Sequence, residues 1–170
     1  MENGFFDRLR MAPTPRRSLI IGPLISCYIR TLVVVTVVLL VSIGFGARPT
    51  SGVVGLAMLY IAALGLSTVS AGWGLGIAFR FRDMRGAAIM QLTLFLTMFL
   101  SSAQTPLNVM TGWLHTVARY NPATNILRLS RQGFLGDVTW DGVWGGLVAL
   151  VGLSVLTLWF ARRGLDSLDR

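Results

Sequence analysis

The chain has 170 residues, 54% of them apolar in the wide sense and 13% charged, where an average soluble domain carries roughly a quarter charged side chains. Its 15 basic residues, all arginine, against 7 acidic ones give a net charge of +8, and its mean hydropathy is +0.67. Apolar runs longer than the roughly 18 residues that mark a bilayer span make it an integral membrane protein. They exclude a secreted disulfide scaffold, a disordered tail and a soluble enzyme with a wide aqueous cleft.

The chain opens on a polar segment, 1–20, that does not have the form of a signal peptide. Phe5, Phe6 and Leu9 share one side of a short helix, with Asp7 and Arg8 opposite and Pro13 and Pro15 ending it. With Arg10, Arg16 and Arg17 it reads as an interfacial helix carrying positive-inside charge. The rest, 21–170, is a transmembrane domain. Its first span is expected at 25–46, around the run of Leu, Val and Thr from Leu32 to Val41. Arg30 is the one charge inside that run. It reaches the interface if the helix starts late; otherwise it contacts a substrate or a neighbouring helix. Cys27 is alone, so neither a disulfide nor a cysteine metal site is expected.

The second span is expected at 52–79. Ala63, Ser67, Ser70, Gly74 and Ala78 form a small-residue face suited to close helix contact. Gly72-Trp73-Gly74-Leu75-Gly76 resembles a dinucleotide loop only superficially, because no strand precedes it; helix packing is the better reading. The third span, 86–103, carries Thr93, Thr97, Ser101 and Gln104 at intervals of four, four and three, one polar stripe on an apolar helix. That stripe either packs against another span or lines a transport path or dimer seam.

The connection 104–141 is too apolar for a plain loop. Trp113, Leu114, Val117 and Tyr120 recur at helical spacing, and a second short helix follows with Asn121 as cap, Pro122 at its first position and Ile126 and Leu129 on one side. Gly133 or Gly136 ends it. These two amphipathic helices, a hairpin over 106–136, lie in or dip into the interface. The fourth span is 143–161. Trp140 and Trp144 precede it and Trp159 ends it, and the rise from Trp140 to Trp159 is about 28 Å, the separation of two interfaces.

With no water to satisfy the backbone, these spans are helices, and the fold class is an all-α polytopic membrane protein of about four transmembrane helices. Arginines cluster in the N-terminal segment, at Arg80, Arg82 and Arg85, and at Arg162, Arg163 and Arg170, whereas the first turn has Arg48 alone. Both termini are therefore expected in the cytoplasm and 104–141 outside. The same clustering explains the basic charge without nucleic acid as a partner.

No catalytic constellation stands out. His115 is the only histidine, and Glu2, Asp7, Asp83, Asp137, Asp141, Asp166 and Asp169 lie outside the spans, where an intramembrane hydrolase would place ionisable groups inside them. No phosphate loop is present. No metal and no cofactor is expected.

Phe99-Leu100-Ser101-Ser102-Ala103-Gln104-Thr105-Pro106, Met110-Thr111-Gly112-Trp113-Leu114, Ala118-Arg119-Tyr120-Asn121-Pro122-Ala123-Thr124, then Arg131 and Gly133, resemble the type-2 ABC exporter permeases, closest to the daunorubicin/multidrug resistance type. The N-terminal Glu-x-Gly-Phe-x-x-Arg-Leu with Pro-x-x-Arg resembles the cytoplasmic segment between that family's second and third spans. The resemblance covers nearly the whole chain, and the first two of the family's six spans are expected to be missing from it. It implies a permease subunit in the cell membrane that exports a hydrophobic or amphipathic compound such as a drug or lipid. ATP would be bound and hydrolysed by a separate ABC-type ATPase subunit, so the chain itself is not expected to be an enzyme. It also implies a second permease copy or related half. Coupling to the ATPase would fall on Phe5, Arg8, Leu9, Arg10, Pro13, Arg16 and Arg17. An outer gate would fall on Pro106, Trp113, Asn121, Pro122, Thr124 and Arg131. A path or dimer stripe would fall on Thr93, Thr97, Ser101 and Gln104. The rival readings are a structural or anchoring membrane subunit, an inactive permease fragment, and a membrane-embedded enzyme, the last disfavoured by the absence of buried acids and histidines.

Overall fold

A computed structural model describes residues 18–48, 50–81, 84–103, 105–136 and 140–166. The expected coupling residues Phe5, Arg8, Leu9, Arg10, Pro13, Arg16 and Arg17, and Gln104 of the stripe, lie outside the described residues. Among these residues six helices follow in order: α1 (Ser18–Gly44), α2 (Gly52–Phe81), α3 (Met84–Phe99), α4 (Gly112–Tyr120), α5 (Pro122–Leu135) and α6 (Trp140–Asp166). No strand occurs among the described residues. The chain is an all-helical, multi-pass membrane protein.

Among the described residues three helices are long and apolar enough to cross a bilayer: Ser18–Gly44, Gly52–Phe81 and Val143–Asp166. The third expected span, 86–103, is different. Only 16 residues of it are helical, a length of about 24 Å against the roughly 30 Å of a hydrocarbon core, and 100–103 turn away instead of extending it. The first span also differs from expectation, since α1 begins at Ser18 rather than late. It ends where Gly46 takes a φ of 92°, with Ala47 N donating to Ser42 O at 3.0 Å and Gly46 N to Ile43 O at 2.9 Å. Those two bonds are the paired closure that a left-handed glycine permits at a helix end.

α2 is the hub, packed against α6, α5, α1 and α3. Inside a bilayer, apolar side chains gain little by leaving lipid, so close backbone approach must hold helices together. The second helix provides it. Gly72 lies against Thr157 and Gly76 against Phe160 of α6, while Gly55 crosses Gly133 of α5 backbone to backbone. The dinucleotide-like glycines are thus helix contacts. Ile126 and Leu129 of α5 are buried with Ala62 of α2 and Val143 of α6, and Met58, Leu66, Leu147 and Leu150 close around them.

α5 is a wedge rather than half of a tight hairpin. It reaches Ala62, ten residues or about 15 Å along α2 from Gly52, and it makes few contacts with α4. The α4–α5 pair occupies the end of the bundle where α2 and α6 begin, opposite Arg80, Arg85, Arg162 and Arg163. Trp140 and Trp144 are exposed and stack at 6.5 Å at one end of α6, and Arg163 covers the Trp159 ring at 4.1 Å at the other.

α1 joins differently. It buries no residue. Three hydroxyl pairs tie it antiparallel to α2: Tyr28 with Thr68 at 2.9 Å, Thr31 with Ser67 at 3.0 Å and Thr36 with Tyr60 at 2.8 Å. A cavity of about 310 Å³ separates it from α5.

Candidate functional site

The short α3 poses a problem that the rest of the site solves. A helix that stops at Phe99 leaves its last carbonyls without intrahelical donors, and at membrane depth no water replaces them. Asn121 supplies two. Its Nδ2 donates to Thr97 O at 2.8 Å and to Leu100 O at 3.2 Å. The same side chain accepts from Ala123 N at 3.0 Å, capping α5, and Pro122 occupies the first helical position, where its missing N–H is no loss.

Further along α5, Arg131 donates through one guanidinium nitrogen to Ser102 O at 2.6 Å and Ala103 O at 3.4 Å. Thr124 Oγ1 accepts from Ser102 N at 3.2 Å and is buried. Within the turn, Ser101 Oγ donates to Met98 O at 2.6 Å and accepts from Ala103 N at 3.2 Å. Asn121, Thr124 and Arg131, with Pro122 beside them, therefore fasten α5 to the broken end of α3. α5 ends at Gly136 with a φ of 93°, and Gly133 serves instead as the crossing point with Gly55.

Two other expected hairpin residues lie apart from this junction. Pro106 sits in a turn, its carbonyl accepting from Val109 N at 3.1 Å, and Trp113 on α4 is 71% exposed. The stripe divides as well. Ser101 is fully buried in the turn. Thr93 and Thr97 line a cavity of about 760 Å³ between α2, α3, α4 and α6, with Trp73, Tyr120, Asn121 and Thr157. Thr93's hydroxyl donates back to Ile89 O and Thr97's to Thr93 O, each at 2.8 Å, so they present methyl groups and already committed oxygens. Thr157 does the same toward Leu153 O at 2.9 Å.

A buried, unpartnered donor at this cavity is the Trp73 indole. Its Nε1 is buried without a hydrogen-bond partner, and its ring stacks on Phe160 at 5.2 Å. A cavity of this size falls within the ordinary range of small-molecule sites. Its chemistry suits a largely apolar molecule that carries a hydrogen-bond acceptor. Trp73, Phe160 and Thr157 were not singled out as site residues from the sequence. The eight-residue interval shared by Tyr28–Thr36 and Tyr60–Thr68 is a signal that could have revealed the α1–α2 pairing. Among the described residues no group of three or more His, Cys, Asp or Glu side chains could hold a metal.

The ABC-2 type transporter family model matches residues 1–135. Over 157 residues the chain is 27% identical to "Probable multidrug ABC transporter permease YbhR" of Escherichia coli (strain K12), and equally to the protein of that name from Escherichia coli O157:H7. Each alignment covers 92% of this chain and 42% of the relative, so the chain spans less than half the length of these curated relatives. No solved structure matches the chain significantly. A family match over more than half of the sequence agrees with the helical membrane architecture: the chain belongs to the ABC-2 type transporter family.

Proposed function

We propose that the chain acts as a membrane subunit of an ATP-driven ABC exporter that moves a hydrophobic or amphipathic compound, such as a drug or a lipid, out of the cell. The observation that carries this reading is the family match over residues 1–135; the multidrug permease name of the relatives supports the substrate class. ATP is bound and hydrolysed by a separate ABC-type ATPase. It grips the segment around Phe5, Arg8, Leu9, Arg10, Pro13, Arg16 and Arg17 in the cytoplasm, where both termini lie. A second copy or a related permease half completes the pathway in the cell membrane. The junction of Asn121, Pro122, Thr124 and Arg131 with the end of α3 serves as the outer gate. Pro106 and Trp113 border it, and Thr93 and Thr97 face the path.

The gate reading follows from what holds it. Every bond between α5 and the α3 end is a directional hydrogen bond to a backbone group, and a modest rotation of α3 breaks several together. Such an element has two discrete arrangements rather than a continuum. The test is ATP-driven dye uptake into inverted vesicles carrying the chain with its cognate ATPase. Leu9→Asp is expected to abolish uptake and ATPase co-purification while membrane insertion persists. Unchanged uptake and unchanged co-purification in that variant overturn the coupling assignment, and cargo-independent ATP hydrolysis in the unmodified complex overturns the exporter reading.

A further inference from the structure

Arg30 is the only charged residue in α1, and the structure puts it far from either end of that helix. The pairs Tyr28–Thr68, Thr31–Ser67 and Thr36–Tyr60 fix the antiparallel register of α1 on α2, which sets Arg30 level with Ser67. From Ser67 to Arg80 is about 20 Å along the helix, and from Arg30 to Gly44 about 21 Å. Because α1 starts at Ser18 rather than late, Arg30 is also about 18 Å from its own helix start. No side chain spans that distance, so reaching the interface, which would serve an arginine near a helix end, is closed to it. Arg30 makes no hydrogen bond or ion pair among the described residues, and the described acids, Asp141 and Asp166, belong to the two ends of α6.

Beside it is an open groove of about 580 Å³ between α1, α2 and α3, lined by Cys27, Arg30, Thr31, Ser67 and Ser70 with otherwise apolar side chains. Met90 closes it against Gly74. One permanent cation and a few hydroxyls set in an apolar groove form the complement of an amphiphile with a single anionic head. The guanidinium suits an oxyanion geometrically as well as by charge. We infer that this groove is a binding site for an anionic amphiphile, whose head pairs with Arg30 at mid-membrane depth while its chain lies along Leu66, Leu75 and Leu94. Resident lipids keep their heads at the interface, so the occupant is a molecule in transit. Its being cargo rests on the exporter reading; its binding at Arg30 does not.

The test uses the full chain in phosphatidylcholine nanodiscs, a photoactivatable long-chain fatty acid, and the methyl ester of that acid. Adducts are mapped by mass spectrometry. The acid is expected to label the 23–31 and 66–75 segments about tenfold more than the ester, the factor that one charge-assisted hydrogen bond supplies. Arg30→Gln should remove the preference and Arg30→Lys retain most of it. Ser70→Leu, which fills the groove and leaves the charge, should lower labelling by both probes. Equal labelling by acid and ester, or a preference that survives Arg30→Gln, overturns the site. Displacement of the probe by phosphatidylglycerol in the nanodisc assigns the groove to resident lipid and overturns the transit claim. In vesicles with the ATPase, Arg30→Gln should stop export of the acid and spare that of an uncharged dye. Export of neither by the unmodified chain would count against the exporter reading alone, because the labelling decides the site separately.

Discussion

α1 and the α2–α5–α6 unit are built from similarly apolar sequence and held by opposite means. The unit is keyed by small residues: Gly55 against Gly133, Gly72 against Thr157, Gly146 against Leu129. Its backbones approach until no side chain intervenes. α1 buries nothing, leans on α2 through three hydroxyl pairs, and faces α5 across a cavity. Steric keys fix one distance and one rotation, whereas hydroxyl pairs on a rotatable side chain tolerate small shifts. The comparison teaches that hydropathy identifies the spans, while the distribution of glycine and hydroxyl residues says which are locked and which can slide.

The largest expected effect is at the crossing of α5 and α2. A Cβ at Gly55 would land on the Gly133 carbonyl oxygen, and one at Gly133 would meet Gly55 O at 2.7 Å and Met58 Cβ at 2.9 Å. Neither obstacle is the free end of a flexible side chain. Gly55→Val should therefore cost at least the upper end of the usual overpacking penalty of about 1–3 kcal/mol. Unfolding in mixed detergent micelles would measure it. The same substitution at Gly44 on α1, whose Cβ would meet nothing within 4 Å, should be nearly silent. Equal losses at the two sites would erase the distinction between locked and sliding helices.

Next is the junction. Asn121→Ala removes the α5 cap and two donors to the α3 carbonyls, for an expected loss of about 2–4 kcal/mol. Asn121→Asp separates the two roles. It keeps an acceptor for Ala123 N but has no donor for Thr97 O and Leu100 O, so a loss nearly as large as alanine's would mean that the carbonyls, not the cap, dominate.

Much of this arrangement was legible in the chain. The helical class, the long spans, the Asn121–Pro122 start of α5 and a glycine stop at Gly133 or Gly136 follow from apolar run length and cap chemistry, which are local properties. The third span was read as reaching residue 103 because Leu100 to Ala103 are small or apolar and a hydropathy pattern does not record hydrogen bonds. The partners at the end of α3 lie more than twenty residues later: Asn121 reaches back to the Thr97 carbonyl, and Arg131 to those of Ser102 and Ala103 in the turn that follows. The start of α1 lies seven residues before the expected one, because α1 runs through Pro23, its sixth residue, although that proline has no N–H to give the Leu19 carbonyl. The depth of Arg30 depended on both that start and the register with α2, and neither is a local property.

A smaller effect is expected on the sliding side. Tyr28→Phe deletes one hydroxyl of the α1–α2 ladder at constant shape, and interhelical polar contacts in membranes average about 0.6 kcal/mol. The loss should be near that value in the unfolding assay. Adding Thr36→Val should raise it roughly twofold, since Tyr28 and Thr36 are more than two helical turns apart and share no partner. A strongly super-additive loss would mean that α1 is as cooperatively locked as the rest.

The smallest stability change is expected at Thr97, and there the comparison reaches function. Thr97 Oγ1 donates to Thr93 O, a bond within its own helix that competes with the backbone and does little to hold helices together. Valine has nearly the same shape. Thr97→Val should therefore shift stability by no more than about 0.5 kcal/mol. Yet Thr97 lines the cavity beside the unpartnered Trp73 indole, and its carbonyl is the one Asn121 holds at 2.8 Å. If the cavity is part of the path, the methyl for hydroxyl exchange should change dye preference or transport rate at unchanged expression. Cysteines at 93 and 97, in a Cys27→Ser background, should then react with a water-soluble thiol reagent in at least one nucleotide state. Unreactive cysteines and an unaltered dye profile would make the α3 face packing alone, and the α3–α5 junction a fixed brace instead of a gate.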